Sequence, residues 1–182
     1  MRKQALSIAV VLMLTAVAAA DDRGARIDRL REAVLAADSA TQFLAGRCAA
    51  LHLAAPAVIH AENAPVSDDA DAEVRALLRV DGLEPVRHRH VRLTCGGHVL
   101  SEADNWYVPG RLTGEMNRSL ETSDTPFGTV VRPLNFHRRT IGTAQPSGGN
   151  AVLQVKAVLL TPQEMPISLV VENYSEELLD ER

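Results

Sequence analysis

Residues Val86 to Val108 carry the pattern that most limits what this chain can fold into. Two runs of alternating side chains flank Gly96-Gly97, a dipeptide suited to a two-residue hairpin turn, so the segment reads as a β-hairpin. Alternation places Arg87, Arg89, Val91, Leu93 and Cys95 on one side of the first strand, and His88, His90, Arg92 and Thr94 on the other. Val91 and Leu93 mark the first set as the core face, which sets Arg89 among apolar neighbours. A turn centred on Gly96-Gly97 pairs Arg89 with Asp104 and Val91 with Glu102. A guanidinium and two carboxylates on a core-facing surface are costly unless paired or used. Arg89, Glu102 and Asp104 are therefore candidate site residues.

At the N-terminus, Arg2 and Lys3 precede an uncharged apolar run, Ala5 to Ala19, and Ala18-Ala19-Ala20 supplies small residues before Asp21. This is the outline of a secretory signal peptide over residues 1–20, and the run is short for a membrane span. The expectation is an exported protein, periplasmic or secreted, with one domain over 21–182 and no membrane span once the leader is removed. The whole chain has a net charge of −4, no Lys/Arg-rich run, and 3% aromatic residues, which argues against a nucleic-acid partner. Cys48 and Cys95 are its two cysteines. In an oxidising compartment an even pair invites a disulfide. Two buried thiols that never meet is the other reading, and only the Cα separation decides between them.

Ile27, Leu30, Val34 and Leu35 recur at helical spacing, which predicts an amphipathic helix over about 22–36. Asp38-Ser39 breaks it and starts a second helix, with Ser39 and Gln42 at capping-box spacing and Leu44, Cys48 and Leu51 as the buried stripe. Ala57 to Ala61 reads as a short strand, Asn63 to Ala70 as loop, and about Asp71 to Arg79 as a third helix. Beyond the hairpin, Thr113 caps a helix carrying Met116 and Leu120. Asp124 to Gly128 is a turn, Thr129 to Phe136 is extended, and Gln145 to Asn150 is a loop. A closing hairpin runs Val152 to Leu160 and Ile167 to Tyr174. A four-residue loop would set Val155 opposite Glu172 and turn Glu172 inward, whereas an odd loop would flip it outward. Helices followed by hairpin-connected strands predict an α+β fold, an antiparallel β-sheet with helices packed on it.

Arg89, Glu102, Asp104 and Glu172 form the leading constellation. Arginine suits bidentate capture of a ligand carboxylate, and a carboxylate in an apolar pocket suits general acid work. A structural ion pair between Arg89 and Asp104 is the plainer alternative. His88 and His90 share a strand face without a third obvious metal ligand, so a polar outer face accounts for them. His137, Arg138 and Arg139 read as a solvated basic cluster, and Trp106 and Tyr107 as core or pocket lining.

The hairpin Arg89 to Pro109, the Thr125-Pro126-Phe127-Gly128 turn, the strand Pro166 to Tyr174 and the helix start Asp38-Ser39-Ala40-Thr41 together resemble chorismate pyruvate-lyases. The run Leu100 to Pro109 is closer still to exported chorismate-lyase-like proteins. The resemblance implies an antiparallel sheet with helices, shared with effector-binding domains of certain bacterial transcription regulators. It implies elimination of pyruvate from chorismate without metal or organic cofactor, or non-catalytic binding of a small cyclic or aromatic carboxylate in the same pocket. By the same resemblance Arg89 would hold the ring carboxylate, Phe127 and Gly128 would touch the ligand through their backbone, and Glu172 would donate a proton. The sequence departs from those enzymes in three ways. Asp104 stands where they carry a basic residue and would repel a dicarboxylate. Glu172 lies six residues after Pro166 rather than five. Export would separate the protein from chorismate.

Overall fold

The computed structural model describes residues 22–64 and 70–179. The leader expected over residues 1–20 lies outside the described residues, as does most of the loop expected over Asn63 to Ala70. The described chain opens with helix α1 over 22–36, whose Ile27, Leu30 and Val34 are buried while Leu35 is 42% exposed. Helix α2, Ala40–Ala50, starts where Ser39 accepts a hydrogen bond from the Gln42 amide, and it buries Leu44 and Cys48. Helix α3, Ala72–Leu78, is capped by Asp71, and helix α4, Gly114–Thr122, by Thr113, each side chain satisfying one orphan amide of the first turn.

Among the described residues six strands form one antiparallel sheet: β1 His60–Ala64, β2 Arg87–Cys95, β3 His98–Tyr107, β4 His137–Ala144, β5 Ala151–Leu160 and β6 Pro166–Ser175. Their spatial order is β1-β2-β3-β6-β5-β4. The two hairpins β2–β3 and β5–β6 thus meet along β3 and β6 at the centre. The α+β expectation holds. The first strand comes a few residues later than Ala57 to Ala61. The stretch expected to be extended, Thr129 to Phe136, instead holds the end of a short helical turn, α5 Phe127–Val130, and a 3-10 turn, Arg132–Leu134, before β4 begins. Pro133 is the second residue of that 3-10 turn, within the first turn where no amide is needed.

One face of the sheet packs under α1, α2 and the segment Glu176–Leu179, with Leu93, Leu100, Leu153, Val155 and Tyr174 in the core. The same face continues under α4 and α5 through Tyr107, Phe127, Ala157, Ile167 and Val170. On the other face α3 covers only one end, where Val74 and Leu78 meet Val108, Val158, Leu160 and Leu169. No helix among the described residues is long and apolar enough to cross a membrane.

The register of the first hairpin corrects the sequence expectation. Beside the turn, Cys95 pairs with His98 and Thr94 with Val99, as a turn centred on Gly96-Gly97 requires. Leu93, however, pairs with Ser101, which leaves Leu100 as an extra residue in β3. This bulge shifts every later pair by one, so Arg89 faces Asn105 and Val91 faces Ala103. A one-residue shift moves a strand's whole side-chain set to the opposite face. Asp104 and Glu102 therefore leave the core face, and Asn105 and Ala103 take their places.

Candidate functional site

Arg89 and Glu172 line one cavity on the helix-covered face. The cavity, about 40 Å³, is also walled by Asp38 to Thr41, Pro126 to Gly128, Asn105 and Arg138. That is room for roughly three waters. Arg89 arrives from β2 and is 7% exposed. Its Nε donates to Asn63 Oδ1 at 2.8 Å, and its two terminal nitrogens donate to the Thr125 and Ser123 carbonyls at 3.1 Å each. Burial lowers its pKa, with Tyr107 and the nearby Asp124 acting in the opposite direction. Every acceptor it touches is neutral. Three of its five N–H groups are spent this way, and two remain.

Asp124, the carboxylate nearest in effect to Arg89, is turned to the surface, where His60 Nδ1 lies 2.5 Å from its Oδ2. That hydrogen bond is the main cause of a lowered Asp124 pKa.

Glu172 comes from β6 and is 6% exposed. It pairs with Val155 on β5 and Ala103 on β3, so it faces inward. The connecting loop is the five residues Thr161 to Met165, and a register shift between Leu159 and Leu160 restores the pairing expected of a four-residue loop. It is not isolated. Arg138 on β4 forms an ion pair with its Oε2, and the Tyr174 hydroxyl donates to the same oxygen at 2.9 Å. Both contacts fall on Oε2, leaving Oε1 as the remaining acceptor of the carboxylate. Burial pulls the Arg138 guanidinium down, but the charge and hydrogen bonds of Glu172 and Tyr174 outweigh it and the pKa lies above the ordinary arginine value. Burial first, then the charge of Glu172, pushes Tyr174 well above the ordinary tyrosine value.

The sequence reading assigned Arg138 to a solvated cluster. Its neighbours His137 and Arg139 do turn outward, to Glu164. Arg138, between them, turns inward by strand alternation. The displaced strand assignment, which placed the strand before residue 137, hid that signal. Asn63, read as loop, is the other residue missed, and nothing in its sequence context marks it as the partner of Arg89.

The remaining wall brings together two segments far apart in sequence. The start of α2, Asp38 to Thr41, packs against the turn Pro126-Phe127-Gly128. A Cβ on Gly128 would lie 3.2 Å from Thr41 Oγ1 and 3.4 Å from Ser39 Oγ, so this close approach is made over a glycine. The first amides of α2 have no acceptor within the helix, and the helix dipole makes this end favourable to negative charge. A depression on the outside of the wall shares Thr41 and Pro126 with the cavity.

The structure does not bring Glu102 and Asp104 into the cavity. Glu102 pairs with Arg92 on the exposed face at 3.2 Å. Asp104 Oδ1 lies 2.9 Å from His88 Nε2 and 2.8 Å from His90 Nδ1, and the His88 ring stacks on Trp106 at 4.4 Å. The outer-face histidines are thus held by a carboxylate. Among the described residues no group of three or more His, Cys, Asp or Glu side chains is set to hold a metal ion. Tyr107 packs against Phe127 below the cavity. Cys48 and Cys95 are joined in a disulfide with a Cα separation of 6.4 Å.

Solved structures define the class of fold. PhnF from Mycobacterium smegmatis is similar with a TM-score of 0.55 at 16% identity, over 80% of this chain and 67% of that one. Its effector domain, solved separately, matches with a TM-score of 0.52 at 14% identity, over 77% of this chain and 90% of that one. The fold is thus shared with that effector domain. The chain spans 59% of the possible transcriptional regulator YydK from Bacillus subtilis subsp. subtilis str. 168, covering 66% of its own length at 13% identity and a TM-score of 0.48. No family model matches the chain. It is 39% identical over 178 residues to the uncharacterized protein y4mC of Sinorhizobium fredii (strain NBRC 101917 / NGR234), covering 85% of this chain and 75% of that protein. The chain belongs to the family of that protein.

Proposed function

We propose that this protein is an exported, chorismate-lyase-like domain that binds a small carboxylate without turning it over. One observation carries the reading: a buried guanidinium, Arg89, lines a cavity with two N–H groups unspent and only neutral acceptors bonded to it. A ligand carboxylate would supply the missing charge, bidentate on Arg89 and close to the start of α2. Phe127 and Gly128 stand beside it as the resemblance implies. Asp104 no longer opposes an anion, because it lies on the other face of the sheet. The cavity is small, so an aromatic ring enters only as Thr41 and Pro126 part toward the outer depression.

Lyase activity is the second reading, favoured by Arg89 and Glu172 lining the same cavity. Against it, Glu172 Oε2 already accepts from both Arg138 and Tyr174, and a proton donor in that position would have to break the ion pair.

Titration calorimetry with benzoate, its neutral amide and the Arg89→Gln variant tests the proposal. Benzoate is expected to bind the unmutated protein at least about tenfold more tightly than benzamide, the scale of one charge-assisted contact. Equal affinity for acid and amide, or unchanged affinity in Arg89→Gln, would refute the reading. Pyruvate released from chorismate by the unmutated protein and lost in Glu172→Gln would replace it with the lyase.

A further inference from the structure

We propose that the Cys48–Cys95 disulfide is a positioning element of the cavity, pinning α2 so that Asp38 to Thr41 stay over Arg89 and coupling ligand affinity to the oxidation state of this pair. The inference rests on the cavity being a binding site. Helix α2 supplies one wall of the cavity from its first turn, yet it is weakly held. Of its eleven residues Leu44 and Cys48 are the buried ones. Phe43 adds an edge contact to Tyr174 at 6.2 Å, and Arg47 donates to the Leu178 carbonyl.

The disulfide supplies the covalent hold. Cys48 lies seven residues beyond Thr41, about 10 Å along the helix. Its partner Cys95 ends β2, the strand that carries Arg89 near its other end. One bond thus ties the wall to the strand bearing the anchor. With the bond cut, the free state of α2 gains freedom that binding must take back, so affinity falls. Leu53 and Ala54 remain seated on the β2–β3 turn, where a Cβ on Gly96 would meet Ala54 Cβ at 2.6 Å. The reduced chain is therefore expected to keep its sheet.

Cutting the bond requires a dithiol reductant. Two electrons and two protons pass to the disulfide, giving the Cys48 and Cys95 thiols and the cyclic disulfide of the reagent. Both sulfurs belong to fully buried residues, so attack needs α2 to move. A ligand clamped under α2 opposes that motion. Linkage then requires the ligand to favour the oxidised form by the factor through which oxidation favours the ligand.

The experiment combines benzoate titration, backbone hydrogen exchange and a dithiothreitol equilibrium on the full mature chain. Reduction is expected to weaken benzoate binding by about fivefold or more, and saturating benzoate to shift the thiol–disulfide equilibrium toward the disulfide by the same factor. The α2 amides should exchange faster on reduction while those of β3, β5 and β6 keep their protection. The Cys48→Ala/Cys95→Ala variant should bind as the reduced protein does and ignore dithiothreitol. Equal affinity in both redox states overturns the proposal, and so does loss of protection across the whole sheet, which would make the bond merely structural. If the oxidised protein binds no carboxylate, the binding reading itself fails. Exchange in α2 then decides the positioning claim, and unchanged exchange on reduction overturns it.

Discussion

Replacing Arg138 by leucine should be among the most destabilising single changes available in the cavity. The Arg138 and Glu172 side chains are 6% and 8% exposed, so neither charge has much water to fall back on. Removing one partner of a buried pair leaves the other uncompensated, at a cost of about 3–5 kcal/mol. At about 2–4 °C per kcal/mol for a domain of this size, the midpoint of thermal unfolding should fall by about 6–20 °C. The double variant Arg138→Leu/Glu172→Leu should recover most of that, because an apolar replacement of a buried pair is close to neutral and only the Tyr174 hydroxyl loses its acceptor. Urea unfolding of the four proteins closes a double-mutant cycle, with an expected coupling of about 5 kcal/mol or more, since each single change strands a buried charge and the double change strands none. The Arg92–Glu102 pair, 53% and 49% exposed, is the control and should couple by about 1 kcal/mol or less. Should Arg138→Leu cost under about 1 kcal/mol, or the two single changes simply add, the account of Glu172 as a compensated buried charge is wrong.

Deleting Leu100 removes the bulge but leaves the pairs beyond it in place, Leu93 with Ser101, Val91 with Ala103 and Arg89 with Asn105. Asp104 and Glu102 should therefore stay outside, and the loss is that of the fully buried Leu100 side chain. A folded variant destabilised by about 2–5 kcal/mol in urea, the scale of a lost buried leucine, is expected, and a variant that no longer folds would contradict the assigned register. His60→Ala should raise the Asp124 pKa toward its ordinary value, read by NMR titration of the carboxyl carbon. A folded-state pKa held below its unfolded value stabilises above the unfolded value, and that stabilisation is lost as pH falls through the folded one. The variant should therefore lose less stability than the parent across that acid window, and an unmoved Asp124 titration would remove His60 as the cause.

Much of the architecture could be read from local pattern. The helix starts at Ser39, Asp71 and Thr113 follow from caps that satisfy orphan amides within three residues of the same chain segment. The Gly96-Gly97 turn and the faces of the strand before it follow from period-two alternation counted from a short loop. Arg89 on a core face was legible for the same reason. Within the cavity local pattern therefore determined Arg89, with Phe127 and Gly128 placed beside it by resemblance, while the face of Glu172 was decided by the register shift between Leu159 and Leu160.

What the sequence could not supply depended on events between distant segments. A bulge at Leu100 is a property of two paired strands, and it alone decided that Asp104 would hold two histidines outside rather than face Arg89 within. Arg138 and Asn63 found their partners only when β4 joined β5 and β1 joined β2. The disulfide likewise needed a Cα separation that only the packed chain defines. Local spacing thus chose the helix starts and the face of Arg89, because cap and strand periodicities act over a few residues, whereas bulges between paired strands chose the faces of Asp104, Glu102 and Glu172. The tertiary structure chose their partners, because a buried charge is compensated by whatever the fold brings within hydrogen-bonding reach.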